Sequence, residues 1–358
     1  DRPQRPHRRA YRVDAAKLEL GFRNKPPEFA LYRQGRRYFS NCYNNNPTGG
    51  TGTAYLFVER DHEAIPVAGI GRAKDWNVLK SPEFRSRWPQ GVDPAGDPNK
   101  NPAVFAWSDL NGDGLAQPDE VQILPGQCGG VTVMPDLAFV LSRWDGKAVR
   151  LAAQRFTGAG VPVYDLQQRD VIAEGVQGPK SSGGDQVLVH SNGWSVVTLG
   201  VAPFAPQSLC GVFKGEARWS YPSVWPGLHA SHESAVPDRP GEVIGSTRLL
   251  GGFVESKAGP LWCVNGNMGP MYLFTVDGLF VQSLFQDVRL GQPWSMPAAQ
   301  RGMLLNGVSP HDENFFPSIG QTTDGRVFIQ DGARSSLVRV DGLDTLQRLP
   351  DQEITVTE

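Results

Sequence analysis

Apolar residues along this chain come in short runs broken by turn dipeptides, and helical spacing is scarce. Phe29 to Tyr32 and Arg37 to Asn41 flank Gln34-Gly35, and further runs follow at Ala54 to Glu59 and Ala64 to Ile70. Later the rhythm tightens. Leu137 to Trp144, Asp145-Gly146 and Ala148 to Leu151 form one unit, and Val187 to His190, Asn192-Gly193 and Trp194 to Leu199 form another. Met271 to Val276, Asp277-Gly278 and Leu279 to Leu284 repeat it, as do Asp324-Gly325 with Arg326 to Gln330, and Leu337 to Val340 before Asp341-Gly342. Asn-Gly and Asp-Gly supply the positive φ angles that tight hairpin turns need, so the pattern predicts an all-β chain of short antiparallel strands.

Gly146 and Gly193 have the same separation as Gly278 and Gly325, a spacing in the forties that suits a four-stranded propeller blade. The hairpins "YLFTVDGLFVQSLF", "TTDGRVFIQDG" and "VLVHSNGWSVVTL" resemble the β-propeller superfamily, in particular degenerate NHL-like propellers of secreted bacterial proteins. "ARWSYPSVWPGLHAS" and "NGNMGPMYLFTVDGLFV" resemble large secreted proteins of environmental bacteria, from which no activity carries over. The resemblance implies a propeller of six to seven irregular blades over residues 29–345. A β-sandwich pair or an irregular β-solenoid are the competing all-β folds. If fewer than six blades close, a further chain or segment is expected to complete the ring, because an open sheet edge invites pairing.

Residues 1–28 read as an irregular arm, in which Arg2, Arg5, Arg8 and Arg9 alternate with Pro3 and Pro6. Residues 346–358 read as a tail. The loop Tyr43 to Thr53 is turn chemistry with no Gly-Lys-Ser/Thr after it, so a surface loop is expected rather than a phosphate cradle. Residues 71–125 read as an insertion, rich in proline, with one short helix capped by Ser81 and opened by Pro82.

Inside that insertion lies the most specific motif of the chain, Asp109 to Glu120, DLNGDGLAQPDE. Counted from Asp109, side-chain oxygens fall at positions 1, 3, 5, 9 and 12 (Asp109, Asn111, Asp113, Gln117, Glu120), Gly114 takes position 6, and Leu115 offers its carbonyl at position 7. This is the twelve-position calcium loop of the EF-hand, and the predicted ligand is Ca2+. An Asx-rich turn needs neither the glutamate nor the oxygen at position 9. Pro125 follows too soon for an exit helix, so the loop is expected to staple strands rather than to open and close as sensor EF-hands do. A lone loop of this type suits the calcium range of extracellular modules, and a secreted or periplasmic location is expected. The chain opens at Asp1 without an apolar leader, which suggests a processed product.

Composition narrows the function classes. A net charge of −2 argues against a broad nucleic-acid or membrane footprint, and no apolar run is long enough to span a bilayer. Cys42, Cys128, Cys210 and Cys263 form no C-x-x-C pair, which removes zinc-ribbon and thioredoxin-like chemistry and leaves one or two disulfides open. No nucleophile elbow, P-loop or dinucleotide fingerprint is present.

Two clusters carry possible acid/base chemistry: His229, His232 and Glu233, and His311, Asp312 and Glu313 followed by Asn314 and two phenylalanines. H-x-x-H-E lacks the histidine spacing of zinc helices, and a polar surface loop is the plainer reading. A third stretch, Trp262 to Pro270, offers Trp262, Asn265 and Asn267, which with Trp225 are candidates for stacking on and hydrogen-bonding a sugar; a blade connection is the alternative. The leading expectation is a non-catalytic, calcium-stabilised propeller that binds glycan or protein partners. The alternatives are a carbohydrate-active lyase or hydrolase and a structural subunit of a larger assembly.

Overall fold

The structure, a computed structural model, describes residues 29–40, 53–178, 185–204, 208–222, 231–245, 248–291, 293–313, 317–331 and 336–351. The N-terminal arm, most of the Tyr43 to Thr53 loop, Cys42, Trp225, His229 and Asn314 lie outside these residues.

Sheet 1 is a six-stranded meander of β1 (Phe29–Arg33), β2 (Arg36–Ser40), β3 (Thr53–Arg60), β4 (Glu63–Arg72), β5 (Ala103–Ser108) and β6 (Val121–Pro125). Sheet 2 takes β7 (Val131–Val133), β8 (Phe139–Trp144) and β9 (Lys147–Leu151); after the ribbon β10 (Arg155–Phe156) and β11 (Pro162–Val163) it adds β12 (Asp170–Glu174) beside β9. Sheet 3 is β13 (Val187–Val189), β14 (Trp194–Val197), β15 (Ser208–Phe213) and β16 (Glu216–Pro222). Sheet 4 contains β17 (Arg248–Leu249), β18 (Val254–Ser256), β19 (Gly259–Asn265), β20 (Met271–Thr275) and β21 (Phe280–Leu284). Sheet 5 is β22 (Ser318–Gln321), β23 (Val327–Asp331) and β24 (Ser336–Val340).

The expected hairpins form where the dipeptides supply positive φ, as at Asp145 (50°) and Gly146 (81°). Asp61 and His62 turn the β3–β4 hairpin with φ of 47° and 66°, a pair that carries little turn signal in the sequence.

Alternate residues of each sheet bury against the next sheet in chain order. Leu56, Ile70 and Val104 of sheet 1 meet Phe139 and Leu141 of sheet 2. Val140 and Ala148 of sheet 2 meet Val197 and Cys210 of sheet 3. Val196 and Leu209 of sheet 3 meet Trp262 and Phe274 of sheet 4, and Leu261 and Leu273 of sheet 4 meet Ile319 and Ile329 of sheet 5. Among the described residues, sequential antiparallel meanders packed face to face in chain order make an all-β, propeller-like arrangement of five blades. The six to seven blades that the resemblance implies reduce to five among the described residues because sheet 1 absorbs more chain than one blade, taking β5 and β6 from the second half of residues 71–125.

The remaining part of that insertion has a structural task. Three 3-10 turns, Ala73–Asp75, Asn77–Lys80 and Pro82–Arg87, lay Trp76, Phe84 and Trp88 onto the face of sheet 1 remote from sheet 2. Trp76 packs at 4.8 Å from Phe105 and 5.6 Å from Trp107. Arg87 clamps the segment by donating from Nε and a terminal nitrogen to the Val121 carbonyl at 2.9 and 2.8 Å. Among the described residues no apolar cluster joins sheet 5 to sheet 1.

Candidate functional site

The acidic loop joins β5 to β6, neighbours in sheet 1, with Trp107 opposite Val121 at its base. The Asp109 N–H donates to the Val67 carbonyl at 2.9 Å, so the loop starts on the body of the sheet. Asp109 is fully buried, and its carboxylate accepts from Gly112, Asp113 and Gly114 N–H groups at 2.9 to 3.1 Å. Asn111 Oδ1 accepts from Asp113 N–H at 3.0 Å, and Asp113 Oδ1 accepts from Leu115 N–H at 2.8 Å. The amides of Asn111 and Gln117 donate to Asp113 Oδ2 at 3.1 and 2.8 Å, and Gln117 Oε1 is buried without a hydrogen-bond partner. Positions 1, 3, 5 and 9 are therefore knit into one patch of oxygens, with Gly114 turning the chain at φ 73°. Burial, then the charges of Glu120 and Asp113, outweigh the backbone N–H bonds and push the Asp109 carboxyl up to about 6.

Glu120, the expected ligand at position 12, has both carboxylate oxygens engaged in hydrogen bonds. Oε1 accepts from the N–H groups of Leu110 and Asn111 at 2.7 and 3.1 Å; Oε2 accepts from the Trp107 indole and Gln117 N–H at 3.2 and 3.3 Å. Four donors fill a carboxylate's acceptor sites, so Glu120 here shapes the loop. Among the described residues no three His, Cys, Asp or Glu side chains stand together as a ready-made metal centre. The loop's oxygens come as much from Asn111, Gln117 and backbone as from acids. As donor chemistry this hard-oxygen set fits calcium.

The second arrangement joins stretches distant in sequence. His232, on the 3-10 turn Ser231–Glu233, places Nε2 at 2.9 Å from Glu313 Oε1. Glu313 is held by an isolated antiparallel bridge to Asn267, whose own N–H donates to the Ile244 carbonyl at 2.9 Å. Arg289, paired with Asp287 at 2.7 Å, donates to the Ser234 and Ala235 carbonyls at 2.5 and 3.3 Å and so fastens the His232 segment. His311 Nδ1 accepts from the Glu313 N–H at 3.2 Å and lies 3.2 Å from Asp312. Thus His232, His311 and Glu313 converge beside Asn267, whereas Glu233 is exposed and makes no contact with the pair among the described residues. A carboxylate on an imidazole nitrogen orients the ring, an arrangement that general acid/base pairs share.

Of the candidate sugar contacts, Trp225 lies outside the described residues and the other three sit in the interior. Trp262 is fully buried, stacked at 4.7 Å on Phe274 and at 5.8 Å on Trp219, and Asn265 and Asn267 are buried as well. Trp76 and Trp88 are likewise core residues.

Spacing gave no sign of Asp185, which is buried and accepts from Ser142 at 2.5 Å and from two Arg143 nitrogens at 3.1 and 2.9 Å. It ties sheet 2 to the start of sheet 3.

No protein-family model matches the sequence, and no curated protein is detectably similar to it. Among solved structures the chain is similar to BamB from Moraxella catarrhalis, at 9% identity and a TM-score of 0.34, over 87% of this chain and 67% of that one. It is similar to the dihydro-heme d1 dehydrogenase NirN in complex with DHE, at 9% identity and a TM-score of 0.37, over 88% of this chain and 66% of that one. It is also similar to AztD of Citrobacter koseri, at 13% identity and a TM-score of 0.27, over 84% and 80%. The chain thus spans about two thirds of the first two. No described helix is long and apolar enough to cross a membrane.

Proposed function

We propose that this chain is a calcium-stabilised binding scaffold of an extracellular or periplasmic protein, presenting glycan or protein partners with a rigid propeller-like face. The carrying observation is the oxygen patch of Asp109, Asn111, Asp113 and Gln117, in which a buried carboxylate is crowded by two other acids and Gln117 Oε1 has no donor. A divalent cation held by these groups and the Leu115 carbonyl relieves that repulsion, with Glu120 bracing the loop and water completing the shell. The cation's part is to fix the β5–β6 connection on sheet 1, leaving binding to other surfaces.

Thermal unfolding with calcium, with chelator and in Asp113→Ala tests this. Calcium at about 100 times its dissociation constant adds about 2.7 kcal/mol to the folded state, which raises the midpoint of the parent protein. The variant loses that response. Identical midpoints in all three conditions overturn the reading.

The 2.9 Å contact between His232 and Glu313 supports a second reading, a carbohydrate-active enzyme using this pair for proton transfer. Incubation with a panel of polysaccharides, read by released reducing ends and by absorbance of unsaturated uronates, tests it. Turnover that Glu313→Gln abolishes supports the reading, and turnover unchanged in that variant removes it.

A further inference from the structure

We propose that a groove on sheet 2 binds an acidic sugar residue, of the uronate type, through Arg169. This rests on the glycan-binding reading and names the site and substrate class within it. The groove has a volume of about 440 Å³ and opens to solvent between the β8–β9 turn, the end of β6 and the approach to β12. That size falls within the range of small-molecule sites, about 300 to 1,000 Å³.

Its floor is a built feature. Trp144 is buried and donates its indole N–H to the Pro125 carbonyl at 3.4 Å. A Cβ on Gly126 would lie 2.1 Å from the indole nitrogen, so only glycine lets the chain pass this close. The Arg169 guanidinium lies 4.3 Å over the Trp144 ring and donates one N–H to the Leu166 carbonyl at 2.5 Å. The cation–π contact and that bond hold the guanidinium over the indole. Among the described residues its other N–H groups have no hydrogen-bond partner, although Arg169 is itself solvent-exposed.

An oriented guanidinium edge matches a planar carboxylate through two parallel hydrogen bonds. Lys147 adds positive charge at the rim, tempered by its pairing with Glu174 at 2.6 Å. Pro125 and Val171 supply apolar wall, and Val171 is 48% exposed. Gln167 and Asp145 contribute polar groups suited to hydroxyls. One carboxylate, an apolar C–H face and several hydroxyls in a ring of this size describe a uronic acid residue. A neutral sugar leaves the guanidinium edge unmatched.

The test is calorimetric titration of the full chain with trigalacturonate and with maltotriose, using the parent, Arg169→Ala and Arg169→Lys. Both variants change an exposed side chain, and their thermal midpoints serve as the folding control. Trigalacturonate is expected to bind the parent at least about tenfold more tightly than maltotriose, and Arg169→Ala to weaken it by about tenfold or more. Arg169→Lys, which keeps charge but loses the planar fork, is expected to lie nearer the alanine variant. Equal binding of the two trisaccharides, or acidic binding unchanged by Arg169→Ala, overturns the groove assignment and spares the glycan-binding reading. Failure of both trisaccharides to bind overturns the groove and counts against that reading too.

Discussion

The Trp219 ring, carried by β16 of sheet 3, lies on Gly278 in the β20–β21 turn of sheet 4 and donates its indole N–H to the Val276 carbonyl at 3.1 Å. A Cβ on Gly278 would come within 2.7 Å of the ring. On its own sheet the same ring covers Gly211, where a Cβ would come within 2.0 Å. One tryptophan therefore seals the contact between two successive sheets, and two glycines make room for it.

Gly211→Ala is expected to destabilise the protein by about 1 to 3 kcal/mol, the range for forcing extra volume into a packed core. Denaturant unfolding measures this. The cause is specific to the ring, so in the Trp219→Leu background the alanine substitution should do much less damage than in the parent. Equal losses in both backgrounds remove Trp219 as the reason for glycine at this position.

The hairpins at Asp145-Gly146 and Asp277-Gly278 were readable because a two-residue turn needs residues that tolerate positive φ, and those dipeptides advertise it locally. The burial of Trp262 was hidden for the opposite reason. The ring that buries Trp262 comes from another sheet, and nothing near position 262 announces it. The contact of His232 with Glu313 likewise depends on Arg289 and Asn267 holding two segments whose sequences carry no sign of each other. The oxygen spacing of Asp109 to Gln117 was readable because a tight loop gathers its own alternate residues. The saturation of Glu120 was not, since it depends on where the Trp107 indole points across the strand pair.

The His232–Glu313 contact joins two partly exposed side chains, 45% and 23% accessible, so solvent screens it. A double-mutant cycle of His232→Ala and Glu313→Ala is expected to give a coupling under about 1 kcal/mol in unfolding experiments. A coupling of several kcal/mol would mean that the pair is a structural lock and would weaken the case for its chemistry.

Cys128, Cys210 and Cys263 are buried, and Cys210 Sγ accepts from the Val201 N–H at 3.4 Å. Burial, reinforced by the negative charge of Asp185, pushes the Cys128 thiol from an ordinary value near 9 up to about 12, and burial raises Cys263 as well. Burial also raises the Tyr272 hydroxyl, from 10.0 to about 12. These groups stay protonated in the folded protein while they ionise in the unfolded chain, so the folded state binds more protons between about pH 9 and 12. Stability should be undiminished by them below pH 9 and fall steadily above it. Unfolding midpoints followed from pH 8 to 11 test the direction. At pH 8 a thiol reagent should leave all three cysteines unlabelled until denaturant is added.

Residues after 345, read as a tail from the sequence, begin with a tether. Arg348 reaches Asp277 in the β20–β21 turn with a terminal nitrogen 2.5 Å from Oδ2, and Leu346 packs against the core between sheets 4 and 5. Burial alone would raise the Asp277 carboxyl, but hydrogen bonds from Arg348 and Thr275 together with the Arg348 charge hold it below the usual carboxylate range. A carboxyl lowered on folding adds stability above its unfolded value near 3.8, and the gain fades as pH falls through the folded value. Both side chains are about a third or more exposed, so screening limits the gain to under about 1 kcal/mol. Arg348→Ala should therefore lower global stability only slightly at pH 7 and make no difference once Asp277 is protonated in the parent. Local order is the sharper readout. Amide exchange over residues 343–351 should speed up in the variant while the strands of sheet 5 keep their protection. Exchange unchanged over that segment would show that Leu346 holds it without the ion pair.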